Sequence, residues 1–390
     1  MDASVRSLSL ALLFAVAAIH YAQAQGRVIC YYSSWAVYRP TDGRFTISDL
    51  DPFLCNHLIY AFIGLQPDGQ IRIMDQYNDI DLGGYTNFNA LRQVNPELKT
   101  LVAIGGWYEE SKNFSIVCRD PALRATFVNN LFGFVQQWGF SGADIDWEYP
   151  TDRGGAPEDK ENFSLLIEEL KALFAPAGLL LGAAVSANVH NAPNYYDIPR
   201  IAASLDFINL MTYDYHGPWD PVTGFNAPLY AGPADPDPTF NVDASVQMWL
   251  SYGIDRSKVV MGTATYGRTF TLADPGNTGV GAPAVGAGVG GPWTNEPGSF
   301  SYMEVCTRQL WEGGWGLEWY DPAKSAYTFK GDQWIGYDYI PAIQEKGRYA
   351  RNQGLGGVLV YAIDFDDFRG FCNEGVNPII TNLKSAFFNG

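Results

Sequence analysis

Short apolar, β-branched runs recur along the chain: Val28 to Tyr32, His57 to Ile63, Thr100 to Ile104 and Ala143 to Trp147, then Leu179 to Val185, Phe207 to Met211, Val259 to Ala264 and Gly357 to Ile363. Runs of that length and composition, bounded by turn residues, predict buried strands. Between many of them the apolar residues follow a helical period, as in Pro121 to Trp138 and in Glu158 to Phe174 with its acidic first turn. Strands that alternate with helices pair in parallel, because a parallel neighbour needs a crossover and a helix is the usual one. Eight such units predict an α/β fold of the (β/α)8 TIM-barrel type over residues 25–390.

The spacing breaks between Ala264 and Gly357, where a segment rich in Gly, Trp and Tyr carries strand-like pieces at Ser325 to Phe329 and Gln333 to Gly336. A connection that long needs structure of its own, so residues 272–337 are read as a small α+β insertion between strands seven and eight, at the rim of the barrel. Within it Gly286 to Gly291 matches G-x-G-x-x-G, but no strand leads into it and Pro292-Trp293 follows. A flexible loop is the better reading than a dinucleotide fingerprint.

The N-terminus has a positive charge at Arg6, an apolar run from Leu8 to Ile19 and a small-x-small site at Ala22-Gln23-Ala24. These are the parts of a signal peptide, residues 1–24, cleaved after Ala24, and the run is far shorter than the roughly 20 residues of a membrane span. A secreted, extracellular protein without membrane association is expected. Export makes disulfides the default for Cys30, Cys55, Cys118, Cys306 and Cys372, and an odd count leaves one over. Asn113-Phe114-Ser115 and Asn162-Phe163-Ser164 are glycosylation sequons.

A formal charge of −17 argues against nucleic acid as a partner, because a basic patch is the footprint of phosphate binding. Aromatic residues make up 15% of the chain, which suits a neutral ligand that stacks. The histidines at 20, 57, 190 and 216 are scattered, so no paired-histidine zinc site, no other metal and no cofactor is expected. A monomer is expected.

Candidate chemistry concentrates in Ala143-Asp144-Ile145-Asp146-Trp147-Glu148. Alternation puts Asp144, Asp146 and Glu148 on one face and Ile145 and Trp147 on the other. Three carboxylates inside a barrel are costly, and some must share protons or shift their pKa upward. An exposed edge strand or a calcium site are the blander readings. The aromatic surroundings and Pro150 at the end suit the C-terminal rim of a barrel, where catalytic residues sit.

Phe140-Ser-Gly-Ala-Asp144-Ile-Asp146-Trp-Glu148-Tyr-Pro150 resembles the D-G-x-D-x-D-W-E-Y-P signature of family 18 chitinases. The likeness runs from about Val28 to Leu383 and takes in Cys30-Tyr-Tyr-Ser-Ser-Trp35, Ala61-Phe62, Gly105-Gly-Trp107, Met211-Thr-Tyr-Asp-Tyr-His-Gly217, Thr265-Tyr-Gly-Arg268 and Asp364-Phe-Asp-Asp-Phe-Arg-Gly370. The resemblance implies hydrolysis of chitin or chitooligosaccharides in which the substrate's own acetamido carbonyl is the nucleophile. It implies Glu148 as proton donor, Asp146 as partner of the acetamido N–H, Asp144 sharing a proton beneath it, and Tyr213 as donor to the acetamido oxygen. By the same transfer Trp35, Trp107 and Trp219 are outer sugar platforms and Tyr361 the central one, while Tyr31, Phe62, Met211, Asp214, Tyr266 and Arg268 line the site. Disulfides Cys30–Cys55 and Cys306–Cys372, and cis peptides after Ala61, Glu148 and Tyr361, are implied too.

Two positions depart from the family pattern. Ser141 replaces the first Asp of the signature, outside the catalytic three. Tyr361 replaces the tryptophan at the end of the eighth strand, so the ring beneath the distorted sugar is smaller and carries a hydroxyl that needs a partner. A chitin lectin or signalling protein on the same fold, with hydrolysis lost, is the competing reading. The presence of Glu148, Asp144, Asp146 and Tyr213 favours the enzyme.

Overall fold

The structure, a computed structural model, describes residues 26–233 and 235–389; the expected signal peptide lies outside the described residues. Eight parallel strands close on themselves: β1 (Arg27–Ser33), β2 (His57–Leu65), β3 (Lys99–Gly105), β4 (Gly142–Asp146), β5 (Leu180–Ser186), β6 (Phe207–Met211), β7 (Val259–Ala264) and β8 (Gly357–Tyr361). Each pairs with the next in chain order, and β8 pairs with β1 to complete the ring. The chain forms the TIM barrel that its strand–helix alternation predicts.

Alternation along each strand separates two apolar layers. Ile29, Tyr31, Ile59, Leu101, Val260 and Leu359 pack inside the barrel, while Val28, Cys30, Leu58, Val102 and Val358 face the helices. Helix Pro121–Trp138 shows how sequence sets the elements. Asp120 accepts from the amides of Ala122 and Leu123 at 2.8 and 3.2 Å, Pro121 opens the helix, and Gly139 at φ 74° ends it. The second expected helix runs Asp159–Phe174, with Glu158 as its N-cap residue.

Strand β4 ends at Asp146, one residue short of the predicted run. Its neighbour β3 turns away through Gly105 and Gly106, at φ 115° and 85°, so the ladder has no partner past Asp146. In the same way β8 stops at Tyr361 and the chain enters a short 3₁₀ turn, Ile363–Phe365.

A second sheet, antiparallel and six-stranded, is built from Tyr266–Leu272, Ala284–Ala287, Ser299–Ser301, Gly316–Tyr320, Ser325–Lys330 and Gln333–Tyr337. Helix Tyr302–Glu312 belongs to the same segment, opened by a capping box of Ser301 and Glu304. Gly286 lies in the strand Ala284–Ala287 of this sheet, and the residues that follow are irregular and do not open a helix. Cys30 bonds Cys55 on the helix side of the barrel, Cys306 bonds Cys372 to tie this helix to the segment after β8, and Cys118 is buried and unbonded.

Candidate active site

The outward side chains of the acidic segment fix its inward ones. Trp147 stacks on Phe114 with ring centroids 5.1 Å apart, and its indole N–H donates to Ser111 Oγ at 2.9 Å. With Ile145 and Trp147 held in the outer layer, Asp144 and Asp146 point into the barrel, in register with Ala103 and Gly105 on one side. On the other side Asp144 faces Gly182. A Cβ at Gly182 would collide with Asp144 Oδ1 and with the Phe207 ring, so the carboxylate occupies the space that the glycine leaves.

Asp144 is fully buried and receives hydrogen bonds from the Tyr31 hydroxyl and, at 3.2 Å, from Asn209 Nδ2. Burial raises its pKa, and these donors oppose that rise. Burial also drives the Asp146 carboxyl well above the carboxylate range, and the neighbouring charge of Asp144 adds to it. Both pKa values are raised and the two carboxyls titrate together, so the pair resists full ionisation and retains a proton between them. Asp146 Oδ1 is buried and has no hydrogen-bond partner among the described residues.

Glu148 lies just past the end of β4, half-buried as a residue, with the Glu148–Tyr149 peptide in the cis form. Loss of water pushes its pKa up to about 7, with Arg153 pulling down and Asp214 pushing up. Of the three acidic residues, this is the one at the cleft's mouth.

Tyrosines line the rest of the floor. The Tyr361 ring lies 5.6 Å from Tyr31, 6.0 Å from Tyr213 and 6.5 Å from Tyr266. Burial keeps the phenols of Tyr213 and Tyr361 neutral by raising their pKa, which leaves each hydroxyl able to donate. Asp214, at φ 60°, accepts from Tyr266 and from Arg268, both at 2.7 Å. Asn226 holds that loop, accepting from the Asp214 amide at 3.0 Å and donating to the Tyr266 carbonyl at 3.0 Å. Tyr266 and Arg268 come from the first strand of the second sheet, which thereby walls the cleft.

The three tryptophans expected as platforms differ from ordinary core tryptophans in their exposure. Trp35 is 43% exposed, Trp107 54% and Trp219 57%, and large exposed aromatic faces mark binding surfaces. Each is backed on one side: Trp35 by the Phe62 ring at 6.0 Å and 15°, Trp219 by Arg268, and Trp107 by Arg153. Met211 closes β6 and is half-buried.

Asn209, Gly182, Asn226 and Arg153 were not singled out from sequence. Asn209 carried a readable signal, as the one polar residue in Phe207 to Met211, sharing a face with Met211. The others act across the fold, and only the barrel brings them to their partners. Among the described residues the group Cys306, Asp367 and Cys372 has metal-ligand spacing, but its two sulfurs are bonded to each other, which leaves a single carboxylate. Asn113 donates to the Leu65 carbonyl at 2.8 Å and Asn162 is buried within a helix.

Residues 27–366 match the model of the glycosyl hydrolases family 18. The chain is similar to chitotriosidase-1 of Mus musculus, 39% identical over 390 residues, covering 97% of this chain and 82% of that one. Among solved structures, the Ostrinia furnacalis Group IV chitinase in complex with allosamidin superposes with a TM-score of 0.91 at 40% identity, covering 93% of this chain and 98% of that one. Human YKL-39, described as a pseudo-chitinase with retained chitooligosaccharide binding properties, superposes with a TM-score of 0.86 at 36% identity, covering 93% and 99%.

Proposed function

This chain belongs to the glycosyl hydrolases of family 18 and is a hydrolase of the chitinase type, and we propose that it cleaves β-1,4-linked N-acetylglucosamine chains by a retaining, substrate-assisted route with Glu148 as general acid and then general base. The observation that carries this reading is Glu148. It stands just past Asp146 at the end of the acidic strand, half-buried, and burial raises its pKa to about 7, which supports the protonated state a general acid needs.

Glu148 gives its proton to the glycosidic oxygen while the substrate's acetamido carbonyl oxygen attacks C1, and the leaving sugar departs with that proton. The unpaired Oδ1 of Asp146 is an acceptor aimed into the barrel, and the acetamido N–H supplies the missing donor. Asp144 takes up the shared proton as Asp146 turns to bind. Tyr213 donates to the acetamido oxygen and holds it over C1, in the manner of an oxyanion-hole group. The Glu148 carboxylate then removes a proton from the water that opens the oxazolinium ring, restoring the β configuration and the protonated acid. Trp35, Trp107, Trp219 and Tyr361 stack against the sugar rings, with Tyr31, Phe62, Met211, Asp214, Tyr266 and Arg268 shaping the walls.

Residues 1–24 act as the export signal in this reading, and the two disulfides suit an oxidising compartment. A second reading, a sugar-binding protein without turnover, draws support from the likeness to YKL-39 and from the smaller ring at Tyr361. Incubation with a soluble chitooligosaccharide across acid and neutral pH separates them. Shorter products with retained anomeric configuration are expected, whereas tight binding with no cleavage at any pH establishes the second reading.

A further inference from the structure

Arg153 joins two loops that meet at the cleft. Its guanidinium lies over the Trp107 ring, 3.6 Å from the centroid. The same group donates to the Trp107 carbonyl at 2.6 Å and to the Glu148 carbonyl at 3.2 Å, and pairs with Glu110 at 3.6 Å. Its own backbone sits at φ 50°, and its carbonyl accepts from the Ser111 amide at 3.2 Å, whose side chain holds Trp147. A planar guanidinium can stack on an indole and reach two carbonyls at once, which an ammonium on a flexible stem does not.

We propose that Arg153 is a positioning residue that couples the Trp107 platform to the Glu148 end of the catalytic strand, so that sugar stacking and proton donation depend on one cation. The proposal rests on the chitinase reading for the identity of the sugar. One face of Trp107 is taken by the guanidinium, which fixes the ring, and more than half of the residue's surface stays open. The positive charge favours the ionised form of Glu148 against its burial. The other groups around that carboxyl do not replace it. Asp146 and Asp144 lie below on the same strand and Asp214 has Arg268 bound to it; the Tyr149 hydroxyl also favours the carboxylate by a hydrogen bond, less than Arg153 does, and the phenols of Tyr196, Tyr213 and Tyr361 are neutral.

The test measures kcat and KM on a soluble chitooligosaccharide against pH for Arg153→Met and Arg153→Lys, with folding checked by circular dichroism. Arg153→Met removes the charge and the fork, so the basic limb of the profile moves up by about half a pH unit and KM rises about threefold. Arg153→Lys keeps the charge and loses the stack, so KM rises while the limb stays at its wild-type position. In a Trp107→Ala background Arg153→Met leaves KM where Trp107→Ala put it and still shifts the limb. A folded Arg153→Met protein with either the limb or KM at the wild-type value overturns the proposal. Should Arg153→Met not fold, a wild-type KM in Arg153→Lys overturns it and a raised one supports it. Absence of turnover in the wild type sinks the chitinase reading instead. The same variants are then read by calorimetric Kd for the chitooligosaccharide and by carbon NMR titration of Glu148, with the same expected directions and the same overturning results.

Discussion

Asp144 and Gly182 face each other across the ladder between β4 and β5, and the side chain that Gly182 lacks is the volume that holds the Asp144 carboxylate. Gly182→Ala places a methyl between two neighbours that cannot yield. Phe207 is fully buried, and Asp144 is tied by Tyr31 and Asn209. Overpacking of this kind is expected to cost about 1–3 kcal/mol, and displacement of the carboxylate pair to lower kcat by tenfold or more, on the order of what a small misplacement costs. Denaturant unfolding and steady-state kinetics check the two effects separately.

Asn209 tests the division of the shared proton. Its amide stabilises the charged form of Asp144, so Asn209→Leu makes the pair harder to ionise. The expected outcome is an acidic limb of kcat/KM that moves to higher pH, with a stability loss of about 1.5–3 kcal/mol for the lost bond to a charged group. A pH–rate profile with the acidic limb unmoved would show that Asn209 does not hold the Asp144 charge.

Much of this arrangement was legible in the sequence. Period-two alternation placed Asp144 and Asp146 inside and Ile145 and Trp147 outside, and the structure shows that separation. Most of the strands were found as apolar runs, the pattern of a parallel strand covered on both faces, whereas β4 was found by its alternation of acidic and apolar residues. What the sequence hid were relations between segments far apart along the chain. Gly182 reads as an ordinary small residue until β5 lies beside β4, and Arg153 as a surface charge until its loop meets Trp107. Strand ends were also hidden, because Asp146 and Tyr361 end their ladders where neighbouring strands turn away.

Tyr361 stands where the resemblance to family 18 chitinases implies a tryptophan. Its ring is packed between Tyr31 and Tyr213. Tyr361→Trp adds stacking area beneath the sugar and is expected to tighten binding by about 0.5–1 kcal/mol, a two- to fivefold fall in KM. An unchanged KM and kcat would mean that the swap is neutral in this cleft.

Glu148 should cost the fold stability as pH rises. Its pKa lies near 4.5 when unfolded and about 7 when folded, so the unfolded chain releases this proton first. Stability from the protonated group is complete below the lower value and is lost as pH climbs through the upper one. Glu148→Gln removes that titration. Relative to wild type, the variant is expected to gain about 3 kcal/mol between acid and mildly alkaline pH, read from unfolding curves across the range. A constant difference would contradict the raised pKa.

The central claim is that Glu148 delivers the proton to the leaving sugar. Glu148→Gln keeps the shape of the side chain and removes the acid, so paired measurements of kcat and of Kd for one soluble chitooligosaccharide test it most directly. The expected result is a fall in kcat of roughly a hundred- to ten-thousandfold with Kd within a few-fold of wild type. Turnover at the wild-type rate in that variant would contradict it.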